Sequence, residues 1–370
     1  MTPPSPLSNR VKPDDLSLDP KIRRSPYHDP PENEVFLTQK DIIYVRTRRV
    51  LFLIGHLFCL YALYLVFSGQ VHSYTLLWSV AILYAGKVGI TAGAHRLWSH
   101  NAYKATVSLR IILMLLQTVS FEMSAYGWSK IHRIHHKYCD TDSDPVNAKR
   151  GFFFSHCGWL LILEHPDVKE KNKTIWMEDL HKDKVVMFQH RNYALLVTIF
   201  AYLIPVFVPW YYWNESLWTC NLVPFLLTTV ITKHITFCVN SVAHYYGMKP
   251  YNKNFSPRET NPFISWLTVG EGWHNFHHAF PWDYRNSEFV GYANNLGCFF
   301  IDMCASLRMA YDLKTVSEKE IVRRVKTSGD GTHCLWGWND EANTPEKKAA
   351  TEIRYPKEEV EEEYNFCKEM

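Results

Sequence analysis

The chain has 370 residues, with 40 Lys and Arg against 37 Asp and Glu. A balance this even leaves no basic excess to neutralise phosphates, which excludes nucleic acid as a partner. Aromatic residues make up 15% of the chain and the mean hydropathy is slightly negative, a combination that suits membrane helices joined to a large polar portion.

Residues 1–37 are rich in Pro, Asp and Lys and hold no apolar core near their start. They are expected to be a disordered cytosolic tail, not a cleaved signal peptide. Four apolar stretches follow in two pairs, at about 50–67 and 74–94, then 193–212 and 217–239. Each approaches the roughly 20 residues that a membrane helix needs. The connectors Ser68 to Ser73 and Trp213 to Ser216 carry no Lys or Arg, whereas Arg46, Arg48 and Arg49 precede the first span and Lys182, Lys184 and Arg191 precede the third. The positive-inside rule then puts both termini and the 95–191 segment in the cytosol, with two short lumenal loops. On that topology Asn172-Lys-Thr174 stays unglycosylated, and Asn214-Glu-Ser216 sits too close to the membrane to be modified. A fifth apolar run, Val107 to Val119, is too short to span and is broken by Arg110, so it reads as an interfacial or cap helix. Residues 339–370 form a charged tail. The nine cysteines form no CxxC pair and read as reduced, buried apolar side chains in a cytosolic setting.

The chemistry lies in the histidines, of which there are 18. His95 and His100 follow the second span, and His132, His135 and His136 lie in the central segment. His244 follows the fourth span four residues after Asn240, and His274, His277 and His278 come later. All fall on the cytosolic side, so they can meet only if the two hairpins stand side by side. The spacing i, i+3, i+4 in the 132 and 274 clusters puts three rings on one helix face. An i, i+4 pair can chelate one metal while the middle ring reaches a second. His95 and His100 lie about 140° apart on an α-helix, so a helix end between them must turn one ring inward. His28, His56, His72, His156, His165, His181, His190 and His333 match no cluster and receive no metal role. His165-Pro-Asp-Val168 lacks the glycines of a haem-binding loop. Lys233 and His234 lie inside the fourth span, where an inward hydrogen bond or a cavity contact is expected of them.

Nine imidazoles exceed the roughly four to six ligands of one metal and point to two metals. A structural zinc is satisfied by four ligands, and no thiolate cluster supports iron–sulfur chemistry. Histidine-rich sites with open positions suit iron that binds O2. In a membrane, such a centre would attack an unactivated C–H bond of a lipid chain. Glu271 and Asp144 are expected to orient imidazoles.

The motifs His95-Arg-Leu-Trp-Ser-His100, His132-Arg-Ile-His-His-Lys137, Thr141-Asp-Ser-Asp-Pro145, Arg150-Gly-Phe-Phe-Phe-Ser-His156, Asn240-Ser-Val-Ala-His244 and the Gly270–Tyr284 stretch resemble the stearoyl-CoA desaturase-like membrane acyl-CoA desaturases, in an insect-type version. The resemblance covers about residues 38–338, a single desaturase domain. It implies an all-α fold in which a four-helix transmembrane bundle and a helical cytosolic cap enclose a histidine-rich diiron site. It also implies an endoplasmic-reticulum location, a fatty acyl-CoA substrate, O2 reduced to water, and electrons from cytochrome b5 and its NADH-dependent reductase. Carried over by position, one iron would take His95, His100, His132, His136 and His277. The other would take His135, His244, His274 and His278, with Asn240 acting through a water. Trp128, Lys130, Thr236 and Phe237 would meet substrate, Trp128 and Thr236 in a bent apolar tunnel.

The departures concern the headgroup. Positions that meet CoA in the family hold Val50, Met123, Lys130, Ile131, Leu163 and Glu164 here, and Glu164 would repel CoA phosphates. Asn101, His234 and Phe237 replace the family's Arg, Asn and Trp. A double bond at Δ9, or next Δ11, is expected; Ser256-Pro-Arg-Glu259, in the usual signature region, does not fix it. A diiron hydroxylase or conjugase would share these ligands, and an inactive divergent relative would keep them while losing CoA contacts. A metal transporter would instead place ionisable residues along its spans.

Overall fold

The computed structural model describes residues 10–11, 37–260, 262–289, 291–333 and 343–352. Apart from two short antiparallel pairs, Arg10–Val11 with Leu37–Thr38 and Lys104–Ala105 with Ala310–Tyr311, regular structure among these residues is helical. Most of both expected tails lies outside the described residues. Seven cysteines are described, and all are free of disulfides.

Four helices are long and apolar enough to cross a membrane: α1 (Gln39–Phe67), α2 (Ser73–Ser99), α5 (Tyr193–Trp213) and α6 (Leu217–Tyr245). Between them lie α3 (Val107–Val119) and α4 (Ala125–Tyr138), and α7 (His274–Ala279) follows. The chain is a multi-pass membrane protein. Three of the spans outrun the expected apolar stretches for a local reason. At α1, Thr38 and Asp41 form a capping box, which starts the helix well before the apolar run. Arg46, Arg48 and Arg49 then continue it, because a good helix former need not be apolar.

The second span ends at Ser99, between His95 and His100 as expected, but its last turns are not α-helical. Residues Gly89–Ser99 are π-helical, and His100 N–H donates to the His95 carbonyl at 3.2 Å. One i→i+5 repeat brings rings five residues apart onto the same face, which an α-helix would not do. Close packing supports this segment. A Cβ on Gly89 would stand 2.1 Å from the Gln117 backbone N of α3, so only glycine lets the two helices approach so closely.

The two hairpins stand side by side. Buried Glu215, in the second connector, accepts from His72 N–H at 3.0 Å and from Thr75 Oγ1 at 2.8 Å, tying it to the first. At the other end, the Arg133 guanidinium of α4 grips the close of α2 through the Trp98 and Ser99 carbonyls at 2.6 and 3.1 Å. It also forks onto Asp179 at 2.9 and 2.5 Å. Arg110, which breaks the apolar run of α3, pairs with Asp183 at 2.9 Å.

Candidate metal centre

The ends of α2 and α6 meet α4 and α7 in two groups of imidazoles. His95, His100, His132, His136 and His277 form one, and His135, His244, His274 and His278 the other. Within each group the candidate ligand atoms all lie within 4.8 Å of one another. In the first group, Nε2 atoms face each other at 2.8 Å between His100 and His132, and at 2.9 Å from His277 to both His95 and His136. In the second, His274 Nε2 lies 3.0 Å from His244 Nε2 and 3.2 Å from His278 Nε2. Asn240 lines the cavity beside His132 and His135.

On three of these rings an acceptor holds the opposite nitrogen. His95 Nδ1–H meets Glu271 Oε2 at 3.0 Å, and His135 Nδ1–H meets both Asp144 oxygens at 2.9 and 3.0 Å. His244 Nδ1–H donates to Ser256 Oγ at 2.6 Å, and that hydroxyl donates to Asp140 at 2.5 Å. A proton held on Nδ1 leaves the Nε2 lone pair free to ligate. Glu271 is fixed in turn by Asn286 Nδ2 at 2.8 Å and by buried Arg96 at 3.4 Å. Arg96 also reaches the Gly270 and Tyr284 carbonyls and Asn295 Oδ1, joining α2 to the loop that carries His274. Gly270 has φ 105°, and a Cβ there would meet Asn295 Oδ1 at 2.2 Å, so this junction requires glycine.

Burial and neighbouring imidazoles hold His100, His132, His136, His277 and His278 well below the ordinary histidine range, and lower His274 to about 3. These rings are neutral at physiological pH, as metal ligation requires. His135 moves the other way: burial opposes its charge, but Asp144 outweighs burial and raises it. Burial would raise Glu271, yet His95 and Arg96 lower it to about 2. Divalent metals fit this centre. Its donors are imidazole nitrogens converging on shared points, and buried His135 Nε2 has no protein partner although its group surrounds it.

A cavity of about 830 Å³ leads to these rings. Trp128, Thr236 and Phe237 line it as expected; Lys130 is not among its lining residues. Of the altered headgroup positions, Met123, Ile131, Leu163 and Glu164 face it, while Val50 is on α1 and 52% exposed. Sequence reasoning missed three cations among its lining residues, Arg48, Arg150 and Lys169. It also missed Glu122 and the side chains holding His244, Ser256 and Asp140. Arg150 stands in a quoted motif and was the available signal. Arg48 looked only like a charge that sets topology.

Of the unclustered histidines, His28 lies outside the described residues and His165 lines the cavity. His234 bridges His56 and His156 at 2.9 Å each, an inward hydrogen bond within the membrane. His333 meets Glu288 at 2.8 Å.

Residues 73–286, more than half the chain, match the family model described as fatty acid desaturase. The chain belongs to the fatty acid desaturase family. It is 48% identical over 291 residues to an acyl-CoA Delta-9 desaturase of Acheta domesticus, covering 79% of this chain and 80% of the relative. An acyl-CoA Delta-12 desaturase of Tribolium castaneum is 44% identical over 330 residues, covering 84% and 91%. An acyl-CoA Delta(11) desaturase of Trichoplusia ni is 43% identical over 323 residues, covering 87% and 92%. Relatives named for three double-bond positions are thus almost equally similar.

Proposed function

We propose that this chain is a fatty acyl-CoA desaturase of the endoplasmic reticulum that inserts a cis double bond at Δ9 or Δ11 of a saturated acyl chain. The observation carrying the reading is two groups of Nε2 atoms converging beside a deep cavity in a fatty acid desaturase. The reaction balances as –CH2–CH2– + O2 + 2 e⁻ + 2 H⁺ giving –CH=CH– + 2 H2O. Cytochrome b5 supplies the electrons one at a time and is recharged by its NADH-dependent reductase.

Two irons are the metals these rings would hold, five imidazoles on one and four on the other, with Asn240 acting through a water on the second. Bound there, iron supplies the O2 activation that breaks unactivated C–H bonds. The chain's own residues do the rest. Glu271, Asp144 and the Ser256–Asp140 pair keep His95, His135 and His244 in the tautomer that presents Nε2. Trp128, Thr236 and Phe237 hold the acyl chain against the rings. Arg48, Arg150 and Lys169 among the lining residues suit the CoA phosphates, and Glu164 opposes them. Basic residues in the first turns of α1 and before α5 favour a cytosolic centre with both termini on the same side.

Expression in yeast lacking its own desaturase, with double bonds mapped in total fatty acids, tests the reading. New monounsaturated chains are expected. Membrane-inserted protein that yields no unsaturated species would refute it. A glycan on Asn172 would overturn the topology.

A further inference from the structure

The cavity is expected to continue as an apolar tunnel, but its inner end is charged. Lys87 of α2 donates to Thr236 Oγ1 at 2.5 Å, and Thr236 Oγ1 donates to Glu122 at 2.7 Å. This chain of polar groups crosses the channel beside Trp128. Lys233, one turn before Thr236 on α6, also lines the cavity and lies 4.6 Å from the centre of the Phe121 ring. Among the described residues its ammonium meets no hydrogen-bond acceptor. Two lysines and one glutamate thus stand where a hydrocarbon tail would pass.

A second space of about 40 Å³ shares Trp128, His132, His135, Thr236 and Asn240 with the main cavity and brings Lys87 beside His95 and His274. A hydrocarbon tail running past the carbons that face His132 and His135 would lie against Thr236 and its lysine neighbours. It would also strip water from Lys233 without offering an acceptor, and a buried cation left unmet is costly. An oxygen at the chain's far end would satisfy the lysine instead.

We propose that this channel takes an acyl chain whose far end bears an oxygen function, a hydroxyl or a carboxylate, seated at Lys233 and Lys87 within a few bonds of the carbons facing the histidines. The inference rests on reading the cavity as the acyl channel.

The test is binding to the purified full-length protein in nanodiscs, followed by ligand-induced thermal stabilisation. The probes are CoA esters of 10 to 16 carbons, each with a methyl, hydroxyl or carboxyl end. At one or more lengths, an oxygen-ended ester should bind at least ~10-fold more tightly than its methyl-ended counterpart, because a site built to bond an oxygen rejects the analogue lacking it. The preference should fall at least ~10-fold in Lys233→Leu or Lys87→Leu. Carboxyl binding better than hydroxyl identifies an anion as the natural end, and the reverse order identifies an alcohol. Methyl-ended chains binding as tightly at every length overturn the inference while leaving the desaturase reading intact. A preference that survives in both variants also overturns it. If no ester of any kind binds, the acyl-channel reading itself fails.

Discussion

Replacing Glu271 by Gln tests whether the carboxylate behind His95 organises the centre. The change is isosteric, so it removes charge without opening a cavity. His95 Nδ1–H loses an anionic acceptor at 3.0 Å, and Asn286 loses one at 2.8 Å. A carboxylate behind a ligating imidazole ordinarily accounts for 10–100-fold in metal affinity, about 1.4–2.8 kcal/mol. Arg96 is left buried without its counter-charge, a loss of about 3–5 kcal/mol when no other partner remains. Here it keeps the Tyr284 and Gly270 carbonyls and Asn295 Oδ1, so a cost nearer ~2 kcal/mol is expected. Two readouts separate the effects: metal retained per chain during chelator titration, and the unfolding temperature of the metal-stripped protein. The variant should release metal at 10–100-fold lower chelator and, stripped, unfold several degrees earlier. Unchanged chelator sensitivity would refute the role given to Glu271, whatever happened to stability.

Asp144→Asn should loosen the other group to a similar extent, since both carboxylate oxygens meet His135 Nδ1; metal loss confined to one of two metals in a metal-content assay is the expected result. Ser256→Ala breaks the relay from His244 to Asp140 and should weaken metal retention by less than Asp144→Asn, measured in the same chelator titration. His136→Ala, with protein level held constant, should abolish unsaturated product in the yeast assay. Glu259 supplies the pH prediction. Burial raises it from 4.5 to about 8, while its Oε1 accepts from Phe276 N–H at 2.6 Å. The folded state thus holds the proton more tightly, so this stability is fully present below about pH 4.5 and lost as pH rises through 8. Glu259→Gln mimics the protonated acid, so it should match the parent near pH 4.5. It should gain on the parent as pH rises towards 8 and keep that advantage above it, by thermal melts across pH 4.5–9.

The spans and the histidine spacing were legible because both are local. Hydropathy finds Tyr193–Trp213 to within a residue, and i, i+3, i+4 spacing puts three rings on one face wherever α4 and α7 form. The π-helical end of α2 was not legible, since its geometry depends on Gly89 packing against Gln117 of α3. Nor were the groups that orient His244: Ser256 lies 12 residues away and Asp140 lies 116 from Ser256, and neither pairing has a sequence period. Lys87 was invisible for the same reason. In sequence it is a cation late in an apolar run, and only the fold reveals Thr236 and Glu122 around it.

Metal content of the purified full-length protein tests the central claim most directly. Two irons per chain are predicted, with X-ray absorption showing nitrogen and oxygen neighbours and no sulfur, despite Cys139 nearby. A single metal per chain, or zinc in place of iron, would contradict it.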